Sequence, residues 1–363
     1  NWKFLKRKVY TPSVMILADE LVAKNIVTTI KSDLIKSPEP VFEANPGLGL
    51  ITQELLKIDK LDLPKLCVFE SDPYFRQKLL ELCDQYSGRL KMFNTNILEL
   101  WKINFLDKID KGNRLKGLMD DVSVKEWEQA PCVKIIGALP TSCFIRSVII
   151  SIIFRYGLIT YGRPELYVLI SPSLYASICK PNRGTETLFN ILFKWQCLME
   201  VDHQALLPWT LEKPRIIKKL TNSGIDPTKF YLLKAVPKQD LYKIVSPELM
   251  KPLWYFCKTV IRGKKHRILP SLEKWIPGCG PRLISKGIDT FTEFGDLTTD
   301  EVLQVFLEFV NWPEFSSCLF MTSMEDHLMK FETEDISDSV GDDSSDFSRE
   351  QILNEVTDRS QVD

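Results

Sequence analysis

The sequence predicts an α/β fold built on a parallel sheet, followed by a small, mostly helical C-terminal domain and a disordered acidic tail. Three observations carry this reading. Short apolar runs alternate with helical periodicities between Val41 and Gly137. Helical patterns separated by Gly and Pro dominate from Lys238. From Glu325 to Asp363 the chain becomes acidic and serine-rich. With 363 residues, 44% hydrophobic and 26% charged, the chain can bury a large core.

Val41 to Glu43 reads as a first strand that breaks at Asn45-Pro46-Gly47-Leu48-Gly49, after which Ile51, Leu55 and Ile58 fall at helical spacing. Leu66 to Glu70 is a second strand. Asp72 is then a good N-cap with Pro73 at the first helical position, and Phe75, Leu79, Leu82 and Tyr86 recur helically up to Gly88. Leu90 to Phe93 is a third strand and Val133 to Gly137 a fourth, an order that predicts a parallel sheet covered on both faces. Residues 96–131 are longer than an ordinary connection and read as an insertion at the sheet's carboxyl edge. Phe144 to Tyr156 is expected to be helical, Glu165 to Ile170 a strand, Leu188 to Met199 a helix with an apolar stripe of Leu188, Leu192, Trp195 and Met199, and Phe230 to Val236 a strand. Pro247 to Arg262 and Thr299 to Val310 read as helices. The expected division is 1–237 for the α/β domain, 238–324 for the helical domain and 325–363 for the tail.

The formal net charge of −1 hides two unlike parts. Glu325 to Asp363 holds thirteen carboxylates against three cations, so the tail carries −10 and the body +9. Nine cysteines are scattered without a CxxC pair and only three histidines are present, which argues against a zinc site or a disulfide framework. No apolar run reaches the ~20 residues of a membrane span, so no membrane partner is expected. The chain begins at Asn1 rather than Met, which points to processing or truncation, with any targeting peptide outside these residues. His203 beside Asp202 lacks a nucleophile pattern and reads as a hydrogen-bonded surface residue.

Strand, Gly47-x-Gly49, helix is an arrangement in which backbone N–H groups can approach a nucleotide-like ligand, and Glu70 ends the next strand, where an acid can accept from both ribose hydroxyls. The third glycine of a dinucleotide site is replaced by Thr52, which favours a small adenosyl cofactor over a pyrophosphate. A tight turn that needs two glycines is the structural alternative.

Val41 to Thr52 resembles the first motif of the ribosomal RNA adenine dimethyltransferases, Phe69-Glu70-Ser71-Asp72 resembles that family's ribose-binding strand end, and Tyr10 to Val14 its entry segment. The likeness runs from about Val9 to Pro237. It implies a Rossmann-like S-adenosylmethionine-dependent methyltransferase fold, with Glu43, Gly47, Gly49, Glu70 and Asn96 as the cofactor-binding set. Ile136-Gly137-Ala138-Leu139-Pro140-Thr141 stands where the family has its catalytic Asn-Leu-Pro-aromatic motif. There the asparagine accepts from the target adenine's amine and the aromatic stacks on the flipped base. Ala138 and Thr141 can do neither, so Ala138, Leu139, Pro140 and Thr141 form a degenerate motif and no catalytic residue is expected. Tyr161-Gly162-Arg163, the strand after it and Leu207-Pro208-Trp209 are similar to one branch, the mitochondrial transcription factor B proteins and specificity factors of mitochondrial RNA polymerase. That likeness implies a factor of the mitochondrial matrix that needs no cofactor, retains at most a vestigial S-adenosylmethionine site, and works with a single-subunit RNA polymerase on promoter DNA and its melted strand. The wider family implies instead a dimethyltransferase acting on ribosomal RNA, or a non-catalytic RNA-binding or ribosome-binding protein.

The residues support a polyanion partner independently. Lys3, Lys6, Arg7 and Lys8 open the chain; Lys213, Arg215, Lys218 and Lys219 follow Trp209; Arg262, Lys264, Lys265, His266 and Arg267 follow Trp254 and Tyr255. Cations on phosphates release counterions, and aromatics among them can stack on unpaired bases. The expected nucleic-acid residues are Lys213, Arg215, Lys218, Lys219, Arg262, Lys264, Lys265 and Arg267, and the acidic tail is expected to compete for them or to contact polymerase.

Overall fold

The computed structural model describes residues 12–181, 184–210, 212–261 and 265–337. A seven-stranded sheet has the order β4-β3-β2-β5-β6-β9-β7, formed by β2 Val41–Ala44, β3 Leu66–Phe69, β4 Leu90–Phe93, β5 Val133–Ala138, β6 Pro164–Ile170, β7 Phe193–Asp202 and β9 Lys229–Pro237. The first five strands in that order are parallel, whereas β9 runs antiparallel to both β6 and β7. A separate antiparallel pair joins β1 Ile16–Leu17 to β8 Leu206–Leu207. This is the predicted α/β fold of the Rossmann-like methyltransferases, with an antiparallel edge. The central strands β2, β3 and β5 are buried along their whole length, which is why they read as mainly apolar runs, interrupted only by buried Glu43 in β2 and Lys134 in β5.

Local signals explain several boundaries. The Asp72 side chain accepts from Tyr74 N at 3.0 Å and Pro73 opens the helix Pro73–Gln85. Arg163, in the segment Tyr161-Gly162-Arg163, is 6% exposed and donates to the Trp127, Pro237 and Gln129 carbonyls at 2.6–2.8 Å. It ties the insertion to β6 and β9. The insertion itself holds the helices Leu100–Asp110 and Arg114–Leu118, and the Asp107 carboxylate accepts from Arg114 N and Leu115 N to start the second one.

Three expectations are corrected. The predicted helix Leu188–Met199 is a helix only over Gly184–Leu192; Trp195 and Met199 lie in β7, where pairing with β9 outweighs the apolar stripe. The chain does not divide at Lys238. Among the described residues, one unit comprises 12–268 and 291–306, the other 269–290 and 307–337. The helix Met250–Thr259 packs on Gly184–Leu192 and Ser142–Phe154 of the sheet domain. The first of these contacts is so close that a Cβ on Gly184 would meet the Cys257 carbonyl oxygen at 1.8 Å. Nor does disorder begin at Glu325: the helix Leu319–Ser337 runs through it, anchored by buried Phe320 and Met324 with Leu328 half-buried at the next turn. The acidic residues beyond Ser337 lie outside the described residues.

The smaller unit has its own core. Phe309 and Trp275 meet Phe320 at 5.2 and 5.6 Å between ring centroids, and Phe315 meets Phe309 at 5.4 Å. Arg282 pairs with both Glu314 oxygens at 2.8 and 2.6 Å and lies over the Trp312 ring.

Candidate functional site

The carboxyl ends of β2, β3, β4 and β5 bring the predicted cofactor and motif residues to one edge of the sheet, where ligands bind in open α/β folds. β2 ends in buried Glu43 and Ala44 and turns through Asn45 (φ 52°), Gly47 (φ 56°) and Gly49 (φ 72°) into the helix Leu50–Leu56. The positive φ values account for both glycines. Their missing side chains are also matched by protein. A Cβ on Gly47 would stand 2.4 Å from Ile16 Cγ2, and one on Gly49 3.2 Å from Leu79 Cδ2. The contact between Ile16 and Gly47 is long-range and leaves no trace in the spacing of the glycine motif.

Glu70 is 3% exposed, and both of its carboxylate oxygens are engaged: Gly47 N donates to one at 3.0 Å and Asp72 N to the other at 2.7 Å. Burial raises its pKa above the ordinary carboxylate range, opposed by these backbone donors. Glu43 is 2% exposed; Thr52 Oγ1 donates to it at 2.6 Å. Burial pushes the Glu43 carboxyl up to about 8, with nearby Glu70 adding to the rise against the Thr52 bond. Thr52, the residue in place of the third glycine, is therefore the partner of the buried acid. Asn96 Oδ1 caps the turn after β4 by accepting from Leu98 N at 3.0 Å, and Asn45 Nδ2 reaches it at 3.4 Å.

At the end of β5, Ala138 is 6% exposed and its carbonyl accepts from Met15 N at 3.2 Å. Leu139 N donates to the Leu169 carbonyl and Ser171 N to that of Pro140, so backbone bonds to the end of β6 hold the motif. Thr141 precedes the helix Ser142–Phe154 without capping it, and its buried Oγ1 has no hydrogen-bond partner among the described residues. Neither an amide acceptor nor an aromatic face stands at these two positions.

The structure tests the basic clusters unevenly. Lys213, Arg215, Lys218 and Lys219 are all exposed on the start and outer face of the helix Pro214–Asn222, which turns Leu220 inward. Trp209 beside them is 42% exposed, its indole N–H donating to the Gln204 carbonyl at 3.1 Å. Lys265, His266 and Arg267 are exposed. Arg262 and Lys264, like Lys3, Lys6, Arg7 and Lys8, lie outside the described residues. The aromatic partners expected for the third cluster are corrected: Trp254 and Tyr255 are 6% and 4% exposed, and Lys258 covers the Trp254 ring at 5.4 Å, so neither can stack on a base. Sequence reasoning missed Phe291, 68% exposed, with the Arg267 guanidinium 5.0 Å from its ring centre. His203 bonds to the Thr228 carbonyl and Asp202, as expected for a surface histidine. Among the described residues there is no cluster that could hold a metal ion and no helix long and apolar enough to cross a membrane.

No family model matches the chain. Among solved structures it is similar to TYW2 of Pyrococcus horikoshii in complex with MeSAdo (14% identity, 63% of this chain and 64% of that one, TM-score 0.30). It is also similar to the plantazolicin methyltransferase BpumL in complex with SAH (9% identity, 61% and 82%, TM-score 0.27). Among curated proteins it is 22% identical to the human mitochondrial dimethyladenosine transferase 2 over 72% of this chain and 68% of the human one. It is 30% identical to the Drosophila melanogaster protein of the same name, over 91% of this chain and 83% of that one. An alignment of that extent spans the glycine loop, the degenerate strand end and the helical C-terminal region together, and the chain belongs to the mitochondrial dimethyladenosine transferase 2 branch of the ribosomal RNA adenine dimethyltransferase family.

Proposed function

We propose that this protein is a transcription initiation factor of the mitochondrial matrix, which helps a single-subunit RNA polymerase recognise and melt promoter DNA on a methyltransferase scaffold that no longer methylates. The observation that carries this reading is the end of β5. Where adenine methylation needs an acceptor for the target amine and a ring for the flipped base, the chain offers the methyl of Ala138 and the hydroxyl of Thr141. The four exposed cations beside exposed Trp209 suit phosphates and an unpaired base. Run-off transcription with and without the protein, on supercoiled and on pre-melted promoters, tests it. Strand opening predicts that pre-melting relieves most of the requirement; a full requirement on melted templates refutes it.

A second reading, S-adenosylmethionine-dependent dimethylation of ribosomal RNA, is favoured by the names of the relatives and by the convergence of Glu70, Asn96 and the glycine loop at one sheet edge. Glu70 would hold the ribose hydroxyls and Asn96 the adenine, and the cofactor would supply the methyl group. The fit is narrow, because Glu70 is 3% exposed and each of its oxygens already accepts a backbone donor, which leaves about one lone pair on each for a ribose. Calorimetric titration with S-adenosylmethionine, followed by a methyl-transfer assay on small-subunit ribosomal RNA, separates the readings: transfer by the folded protein would overturn the first. Higher affinity for structured RNA than for bubble DNA would favour a third reading, a non-catalytic RNA-binding protein.

A further inference from the structure

Two chain segments far apart in sequence meet in a short antiparallel ribbon. Ile268 N donates to the Thr292 carbonyl at 3.1 Å, Phe294 N to that of His266 at 2.9 Å, and Arg267 pairs with Glu293 between them. The ribbon is held at its base by buried Ile268 and Phe294, 0% and 4% exposed. Its outer end presents Lys265, His266 and Arg267, all exposed, together with Phe291. Phe291 keeps 68% of its surface in water, so a flat apolar ring is open to a ligand. Asp289 and Glu293 are the acids nearest the cluster in sequence, and the Glu293 side chain takes part in a capping box with Asp296 at the start of the turn Phe294–Asp296.

Resting on the nucleic-acid reading above, we propose that Phe291 and Arg267 form a stacking platform for one unpaired base of a single strand, with Lys265 and His266 beside it for the flanking phosphates. A planar guanidinium at 5.0 Å from the ring centre lies over the aromatic, which orients the ring and adds a second flat, cationic surface for a base. Stacking on such a surface reads unpairing rather than sequence, because every base has a π-face. A duplex keeps its bases stacked on each other and can use only the cations. The platform therefore supplies what a strand-separating protein requires, a preference for open over closed nucleic acid.

The test uses the full chain with fluorescently labelled oligo(dT), oligo(U) and a short duplex of mixed sequence, read by anisotropy. Phe291→Ala should weaken oligo(dT) binding by about 5- to 100-fold while leaving the duplex unchanged, and Phe291→Trp should restore it. An exposed side chain allows these changes without loss of fold, checked by an unchanged melting temperature. Comparable losses on oligo(dT) and oligo(U) are expected from stacking alone; a loss on one only would overturn the sequence-independent platform. Unchanged oligo(dT) affinity for Phe291→Ala, including the case where only polymerase binding suffers, would overturn it while the wider nucleic-acid reading stands. Wild-type protein that binds neither oligonucleotide would overturn both.

Discussion

Glu43 offers the most direct test of how the strand ends are built. It lies in the central strand β2, 2% exposed, with one hydrogen-bond donor in Thr52 and a second acid, Glu70, close enough to raise its pKa. Its carboxyl moves from an ordinary 4.5 to about 8. At about 1.36 kcal/mol per unit, that difference represents roughly 5 kcal/mol between folded and unfolded chains. Because the folded value is the higher one, the unfolded chain releases the proton first. Stability is therefore lost as pH rises above the unfolded value, and the loss is complete only above the folded value. Between pH 5 and pH 8 the wild type should lose roughly 3–4 kcal/mol from this group. Glu43→Gln keeps the acceptor for Thr52 and carries no proton to lose. Urea denaturation of both proteins at half-unit intervals over that range isolates the contribution of Glu43 together with its coupling to Glu70, since the titrations of uncoupled groups are shared. The stability difference between variant and wild type should rise steadily with pH; a difference that stays flat would refute a neutral buried acid at the end of β2.

Other expectations follow from the same geometry. Gly47→Ala should destabilise by roughly 2–4 kcal/mol, from positive φ and the collision with Ile16, and part of that loss should be recovered in an Ile16→Ala background, a coupling that thermal melts of the four proteins would measure. Arg163→Met removes the donor from three carbonyls, two of them in buried bonds, and should cost roughly 3–5 kcal/mol in urea titrations. Replacing Lys213, Arg215, Lys218 and Lys219 by Gln should leave the melting temperature unchanged and reduce the slope of log affinity for single strands against log salt by up to about 3.

Much of the fold is legible because parallel strands buried on both faces are short apolar runs closed by turn residues, and Asp72-Pro73 or Asn45-Pro46-Gly47 punctuate them by local chemistry alone. What is not legible depends on partners distant in sequence. β7 carries a bulge between Cys197 and Met199, which breaks the period-two alternation, and Trp195 and Met199 continue in sequence the helical spacing of Leu188 and Leu192. Composition makes Glu325 onward look unable to fold, yet Phe320 and Met324 seat the helix that runs through it. Charges are readable as surface; aromatic exposure is not. Trp254 and Tyr255 have the same types and neighbours as Trp209, but a helix packed on two others turns them inward. Phe291 belongs to no cluster in sequence and gains its cationic neighbour only through the ribbon with Arg267.

The persistence of a methyltransferase motif says little about methylation when each of its side chains has an internal task. Gly47 makes room for Ile16, Gly49 turns the chain into a helix, Thr52 holds Glu43, and Asn96 caps its own turn. Glu70 is the sharpest case, because it is also the residue whose substitution would ordinarily be taken to report on a cofactor's ribose. Its two oxygens fix the glycine loop and the start of the helix Pro73–Gln85 by accepting from Gly47 N and Asp72 N. In Glu70→Gln one oxygen becomes an amide NH₂ aimed at a backbone donor, so a buried N–H loses its acceptor at a cost of roughly 1–3 kcal/mol. The variant should thus melt lower in buffer containing no S-adenosylmethionine. If Glu70→Gln melted with the wild type in that buffer and differed only on adding the cofactor, the acid would be a ligand residue first, and the scaffold reading of the glycine loop would fail.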